Sequence, residues 1–184
     1  MNKVYAIIGP PASGKSTLVK ALKAHHIPAI ISHTTRPPKK EEQSGVDYHF
    51  VDKETFLKLS LIEKVSYSGH FYGLSKEEVL HKVKENEISV VELDQCGLEQ
   101  LKKLLGERLV SICLFADKET ILSRYVLQGD NDREINRRIE YAEAAGEFAN
   151  WQMADYVVKN TGQLAAAIRQ VLAIMDIPWT KHGD

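Results

Sequence analysis

Short unbroken apolar runs alternate along this chain with stretches whose apolar residues recur every three to four positions. The runs are Val4 to Ile8, Ile27 to Ile31, Ile88 to Leu93, Leu109 to Phe115 and Tyr156 to Val158. Continuous apolar strands of this length are the mark of strands buried on both faces. Helical periodicity covers Ser16 to Ala24, Lys76 to Lys84, Leu98 to Leu105, Lys118 to Leu127, Glu134 to Trp151 and Gly162 to Met175. In the first of these, Leu18, Ala21 and Leu22 share one face. Strand and helix alternate in the βαβ rhythm, which predicts an α/β fold with a parallel sheet covered on both sides. Two stretches break the rhythm. Ser32 to Gly73 is rich in Thr, Pro, Lys, Gly and Tyr and holds short alternating pieces such as Tyr48-His49-Phe50-Val51. It is too long for a structureless loop, so a small insertion with its own antiparallel strands is expected. Gln128 to Arg133 is a polar Gly-Asp-Asn-Asp turn between two helices and reads as a mobile lid. The tail from Asp176 to Asp184 carries no pattern and is expected to be loose.

The turn after the first strand carries the sharpest chemistry. Gly9-Pro10-Pro11-Ala12-Ser13-Gly14-Lys15-Ser16-Thr17 fits G-x-x-x-x-G-K-[ST], with a strand before it and a helix after it. Gly9 and Gly14 permit a tight turn whose amides point inward at phosphate oxygens, and the helix N-terminus adds partial positive charge. Lys15 supplies a cation for the β- and γ-phosphates and Ser16 a hydroxyl for Mg²⁺. The chain is therefore expected to bind a nucleoside triphosphate through residues 9–17, with Lys15 also catalytic.

Composition narrows the partners. The chain has 184 residues, 43% of them hydrophobic and 27% charged, enough for one globular domain with a sizeable core. A net charge of -1 offers no bulk attraction to nucleic acid or to an anionic membrane, and neither partner is expected. No apolar stretch is long enough to span a bilayer. The N-terminus does not read as a signal peptide, and Cys96 and Cys113 lie far apart in apolar surroundings without metal-ligand spacing. A reduced cytoplasmic protein is expected.

The insertion opens Ser32-His33-Thr34-Thr35-Arg36-Pro37-Pro38-Lys39, and Arg36 and Lys39 follow a predicted strand end, where α/β sheets place ligands. Arg36 offers a fork suited to phosphate. Asp47-Tyr48 and Gly69-His70-Phe71-Tyr72-Gly73 add phenolic hydroxyls near glycines. Singly, each residue reads as surface or core. Together they describe a pocket for a second phosphorylated ligand. The lid region carries Arg124, Arg133, Arg137 and Arg138. Arg133 reads as a surface residue, whereas Arg137 or Arg138 would meet the transferring phosphoryl group, whose charge is stabilised mainly by cations and positioning. No compelling general base, nucleophile or metal cluster is found elsewhere. An acceptor that is itself a phosphate needs no base, so phosphate-to-phosphate transfer is favoured over transfer to a hydroxyl, under a lid that excludes water.

At this point the chain resembles the guanylate kinases, from Val4 to about Leu172. The likeness rests on linked motifs: the phosphate loop, Ser32 to Pro37, Gly45-Val46-Asp47-Tyr48-His49-Phe50, Glu63, Tyr72-Gly73 and Asp155 to Asn160. The resemblance implies a three-layer P-loop NTPase fold made of a core (1–32, 76–127, 150–184), a small antiparallel insertion for the nucleoside monophosphate (33–75) and a helical lid (128–149). It implies transfer of the ATP γ-phosphoryl group to GMP with Mg²⁺, giving GDP and ADP in purine nucleotide metabolism, by a monomer or homodimer. By motif, Ser32, Arg36, Tyr48 and Tyr72 would hold the GMP phosphate and Glu63 would accept from guanine N1 and N2. Asp94 would sit beside the base, Glu42 matches the acid after the Arg-Pro segment, and Arg138 matches the lid-helix arginine. Several positions depart from the family pattern. Leu74 stands where Ser or Thr is usual, Lys39 where a second arginine is usual, Glu41 for glycine, Glu92 for aspartate and Gln128 for a lid arginine. Two other readings stay open: a relative that phosphorylates another acceptor such as a ribose bisphosphate, and a nucleotide-binding module with weak GMP kinase activity.

Overall fold

The computed structural model describes residues 1–67 and 69–179. Its elements are β1 (Lys3–Ile8), α1 (Lys15–Ala24), β2 (His33–Thr34), β3 (His49–Phe50), α2 (Lys53–Lys58), β4 (Leu61–Tyr67), β5 (His70–Ser75), α3 (Lys76–Glu85), β6 (Ile88–Glu92), α4 (Gln95–Leu105), β7 (Leu109–Phe115), α5 (Lys118–Leu127), α6 (Asp132–Ala144), β8 (Tyr156–Lys159) and α7 (Leu164–Ile174). Short 3₁₀ turns lie at Gly106–Arg108 and Glu147–Met153. The last residues of the tail, 180–184, fall outside the described residues.

The central sheet has the order β6-β1-β7-β8, and every pair in it is parallel. The apolar run of β1 feeds two cores at once because successive side chains alternate faces. Val4, Ala6 and Ile8 join Val79, Val91, Leu98, Leu101 and Cys113 on one side. Tyr5 and Ile7 join Leu18, Leu22, Ile112, Leu114, Val158 and Val171 on the other. Helices α3 and α4 thus cover one face, and α1 and α7 the other, giving the three layers read from the sequence. A third cluster of Ala116, Ile121, Tyr125, Ile135 and Ile139 pins α6 against α5.

Three expectations need correction. The strand expected over Ile27 to Ile31 is a single parallel bridge, Ala29 to Val90. Val90 donates to the Pro28 carbonyl at 2.9 Å and Ile30 donates to Val90 at 2.8 Å, but Pro28 has no N–H with which to extend the ladder. The helix expected over Glu134 to Trp151 is divided. It stops at Ala144, Gly146 turns the chain with φ 70, and a 3₁₀ segment begins at Glu147. The insertion forms a second sheet, β3-β2-β5-β4, in which β2 pairs antiparallel to β5 and β5 to β4, but β2 and β3 are parallel. It also holds α2, which periodicity did not reveal. The Asp52 carboxylate accepts from Thr55 N at 2.7 Å to cap it, and Phe56 is fully buried and stacked on Phe71.

Candidate functional site

The loop after β1 takes the conformation its glycines permit. Gly9 has φ 146 and Gly14 φ 101, and any Cβ at Gly9 would lie 2.5 Å from the Leu114 carbonyl oxygen. Ala12 also adopts positive φ, at 56°. That strain is held from outside: Arg124 Nη1 donates to Ala12 O at 2.8 Å, and Asn160 Nδ2 donates to Ser13 O at 2.8 Å. Arg124 Nη2 closes the brace on Asn160 O at 2.6 Å. The braces take the loop's carbonyls, and of its amides Ser13 N closes a turn onto Pro10 O at 3.2 Å. Lys15 Nζ folds back over the loop, donating to Gly9 O at 2.9 Å and Pro10 O at 3.1 Å. Ser16 Oγ donates to Glu92 Oε2 at 2.8 Å. A cavity of about 510 Å³ lies here, lined by Pro11, Ala12, Gly14 to Thr17, Glu92, Arg124, Gln128 and Asn160 among others. Sequence reasoning placed the loop correctly but missed Arg124 and Asn160 as its braces, and Glu92 as the partner of Ser16.

The insertion brings Arg36, Glu42, Tyr48 and Tyr72 together. Arg36 donates through Nη1 and Nη2 to the two oxygens of Glu42, at 2.8 and 2.9 Å. That fork, and the Lys39 amide donating to Glu42 Oε2 at 2.8 Å, hold the Glu42 carboxyl down at about 2. The guanidinium lies 5.6 Å from the Tyr48 ring centre and 5.7 Å from that of Phe50, and Tyr48 meets Tyr72 edge to face. A cavity of about 290 Å³ adjoins this group, walled by Ser16, Lys20 and Lys23 of α1, by Ile30 to Ser32, and by Glu42 and Val46 to Tyr48. The exposed Lys39 side chain does not line it; that residue enters the site through its backbone.

Glu63 is aimed by a register irregularity in β4 between Leu61 and Glu63. Its carboxyl faces the first turn of α4 so closely that a Cβ at Gly97 would lie 2.0 Å from Oε2. Asp94 caps that helix, accepting from Gly97 N at 2.7 Å. Oε2 of Glu63 is buried and has no hydrogen-bond partner among the described residues. Burial first, then the Asp94 charge, a side-chain hydrogen bond with Asp94 and the Glu92 charge, push Glu63 up to about 8. Glu63 and Asp94 share a cavity of about 230 Å³ with Gly9, Lys15, Glu92 and Glu147. Glu147, whose carboxyl is raised by burial, was hidden inside the expected long helix; the turn at Gly146 is what directs it here. Leu74, the neighbour of Glu63 in the β4–β5 ladder, is fully buried in the core and presents nothing to a ligand.

The two lid arginines are turned to acids of their own segment. Arg137 donates to Glu134 at 2.8 and 3.1 Å, and Arg138 to Glu134 and Asp130 at 3.0 Å each while lying over the Tyr125 ring. Neither lines the three cavities. The site thus holds a phosphate-type loop, a guanidinium–tyrosine group and a buried carboxyl, with Glu92 lining all three cavities.

Comparison with known proteins agrees with this geometry. The family model described as guanylate kinase matches residues 1–176. The guanylate kinase of Nitrosococcus oceani is 34% identical over 86% of this chain and 81% of its own length. One from Thermus thermophilus is 33% identical over 99% of this chain and 84% of its own. A crystal structure of guanylate kinase from Anaplasma phagocytophilum shares the fold, with a TM-score of 0.68 over 95% of this chain and 85% of that one at 23% identity. Matched along nearly its whole length, the chain belongs to the guanylate kinase family.

Proposed function

We infer that the protein transfers the γ-phosphoryl group of ATP to GMP, giving ADP and GDP. The observation that carries this reading is that Glu63 and Lys15 line one cavity. A carboxyl suited to two adjacent N–H donors of a purine thus faces the cation of a triphosphate loop. Guanine presents that pair of donors at N1 and N2; adenine does not. A polar site left with unpaired groups penalises the wrong base heavily. ATP would lie with its phosphates in the loop from Gly9 to Thr17, Lys15 leaving its two carbonyls for the β- and γ-oxygens. The GMP phosphate would be taken by Arg36, Tyr48, Tyr72 and Ser32, with Glu42 holding the guanidinium flat and Asp94 beside the base. The acceptor oxygen is already anionic at neutral pH, so no side chain needs to remove a proton. Arg137 and Arg138 would exchange Glu134 and Asp130 for the transferring group when the segment 128–149 closes over 33–75.

Ser16 and Glu92 fit a Mg²⁺ ion that arrives with the nucleotide. They offer a hydroxyl and a carboxylate 2.8 Å apart, both hard oxygen donors, and few protein ligands suffice because Mg²⁺ keeps waters and phosphate oxygens. When bound, the ion neutralises charge on the β- and γ-phosphates. Nucleotide substrates of this kind suit a cytoplasmic enzyme. Among the described residues no helix is long and apolar enough to cross a membrane. The test is a panel of nucleoside monophosphates and ribose phosphates with ATP and Mg²⁺, scored by ADP release and product identity. GMP should be the preferred acceptor. Turnover with a ribose bisphosphate and none with GMP overturns the assignment.

A further inference from the structure

One contact in the wall of the proposed acceptor cavity has no catalytic role assigned to it. Lys23, in the last turn of α1, donates its ammonium to the Val46 carbonyl at 2.8 Å. Among the described residues no other side chain of α1 hydrogen-bonds to the insertion. Val46 sits at the tip of a loop that is a unit in itself. Gly45 N donates to Tyr48 O at 2.8 Å, Val46 N and Asp47 N donate to Gln43 O at 3.2 and 3.0 Å, and Gln43 N donates to Asp47 Oδ2 at 2.9 Å. One limb of this loop carries Glu42, which clamps Arg36; the other carries Tyr48, on which Arg36 lies. Fixing the tip therefore fixes the phosphate-facing group as a whole. Elsewhere the insertion meets the core through β4 and β5, where Leu74 and Ile62 pack into the core and Glu63 faces α4, and through His49, which pairs with Glu78 of α3 at 3.3 Å. None of these contacts involves Val46 at the loop tip, which Lys23 holds.

Lys23 stands on the same rigid helix as Lys15 and Ser16, eight residues beyond Lys15, which is about 12 Å at 1.5 Å per residue. We propose that Lys23 is a positioning residue: through Val46 it sets the acceptor-phosphate loop at a fixed distance from the helix that carries the donor-phosphate groups. This rests on the GMP kinase reading above. Its physical basis is that in-line transfer tolerates little misplacement of the two reacting groups, so a tether between donor helix and acceptor loop acts on acceptor binding rather than on donor binding. An ammonium on a carbonyl is a charge-assisted bond, and its place at a helix C-terminus is favoured by the dipole.

Two variants test it. Lys23→Met keeps the alkyl stem and loses the donor; Lys23→Arg keeps a donor. Lys23→Met should raise KM for GMP about three- to tenfold, the range for one charge-assisted bond open to water, with KM for ATP unchanged. Lys23→Arg should restore most of the loss. In the nucleotide-free protein, amide hydrogen exchange at Gly45 and Val46 should accelerate in Lys23→Met and not in Lys23→Arg. An unchanged KM for GMP with unchanged exchange overturns the proposal, and so does an equal rise in both KM values. Accelerated exchange in a protein whose wild-type form ignores GMP keeps the tether and rejects the assigned acceptor, so the two readings fail separately.

Discussion

Glu63 should make GMP binding depend on pH while leaving ATP binding flat. In the empty protein its carboxyl holds a proton to about pH 8, because it is buried beside Asp94 and Glu92. Glu147 and Lys15 line the same cavity without supplying Oε2 with a partner. Guanine brings two donors, which favour the ionised form, so binding must release that proton. If only the ionised form binds, KM for GMP scales as one plus ten to the power of 8 minus pH. The factor is about 2 at pH 8, about 11 at pH 7 and about 30 at pH 6.5. The assay is initial rate against GMP concentration from pH 6.5 to 9, above the second ionisation of most of the substrate phosphate, with ATP saturating. Glu63→Gln should raise KM for GMP and remove the slope. Stability offers a second readout. An unfolded Glu63 loses its proton near 4.5 while the native one keeps it to about 8, so the native state binds more protons between those values. Stability therefore falls as pH rises through that window, by about 5 kcal/mol for the whole shift at 1.36 kcal/mol per unit. Glu63→Gln should recover part of that at pH 9, read as a higher Tm. A KM for GMP that is flat from pH 6.5 to 9 in the wild-type protein would refute the reasoning.

Other outcomes follow from single contacts. Lys15→Ala should abolish turnover, since its ammonium is the cation folded over Gly9 and Pro10, and should remove thermal stabilisation by ATP with Mg²⁺. Gly97→Ala should raise KM for GMP, because its Cβ would displace the movable end of the Glu63 side chain, although alanine is the better helix former by about 1 kcal/mol. A variant with normal KM for GMP contradicts that packing. Leu74→Ala should cost about 2 to 5 kcal/mol in denaturant unfolding with little change in base preference, since the side chain is fully buried. Arg124→Met should weaken ATP binding several-fold through loss of the Ala12 and Asn160 braces, measured by calorimetry, with GMP binding unchanged.

The parts of this protein legible from sequence are those written in local pattern. The phosphate loop needs only its own glycines and the strand and helix on either side, so its position and the conformations of Gly9 and Gly14 follow from that one stretch. The central strands follow equally, because an apolar run with two covered faces has no other stable place. Legibility fails where one residue removes a hydrogen bond or a turn from an otherwise regular pattern. Pro28 shortens an apolar run to one bridge, and Gly146 cuts a helix whose periodicity continues through Phe148. It fails again where function depends on pairs distant in sequence. Ser16 and Glu92 are 76 positions apart and Arg124 and Ala12 are 112 apart, and nothing in either neighbourhood announces the other.

Glu63 shows the same limit from the other side. As a polar residue in a stretch of mixed charge it reads as solvated, and motif resemblance alone singled it out. The structure adds observations that support the role proposed for it: a shifted register in β4, a glycine across from it whose methyl group would displace its carboxyl, and a buried Oε2 without a partner among the described residues. Leu74 follows the opposite course. Its departure from the family pattern invites a change in base recognition, yet its side chain lies wholly in the core. Under the proposed function, base selectivity is assigned to Glu63 and the carboxylates around it. The consequence is measurable with a guanine-to-hypoxanthine swap, which deletes the N2 donors and keeps N1–H. A protonated Glu63 can still accept from N1–H through its carbonyl oxygen, and its O–H then meets no opposing donor. Against guanine the same O–H confronts the N2 amino group. The swap should therefore cost more at pH 8, where half of Glu63 is ionised and both bases keep their N1–H, than at pH 6.5, where it is protonated in the empty site. An equal cost at the two values would mean that Glu63 does not read N2.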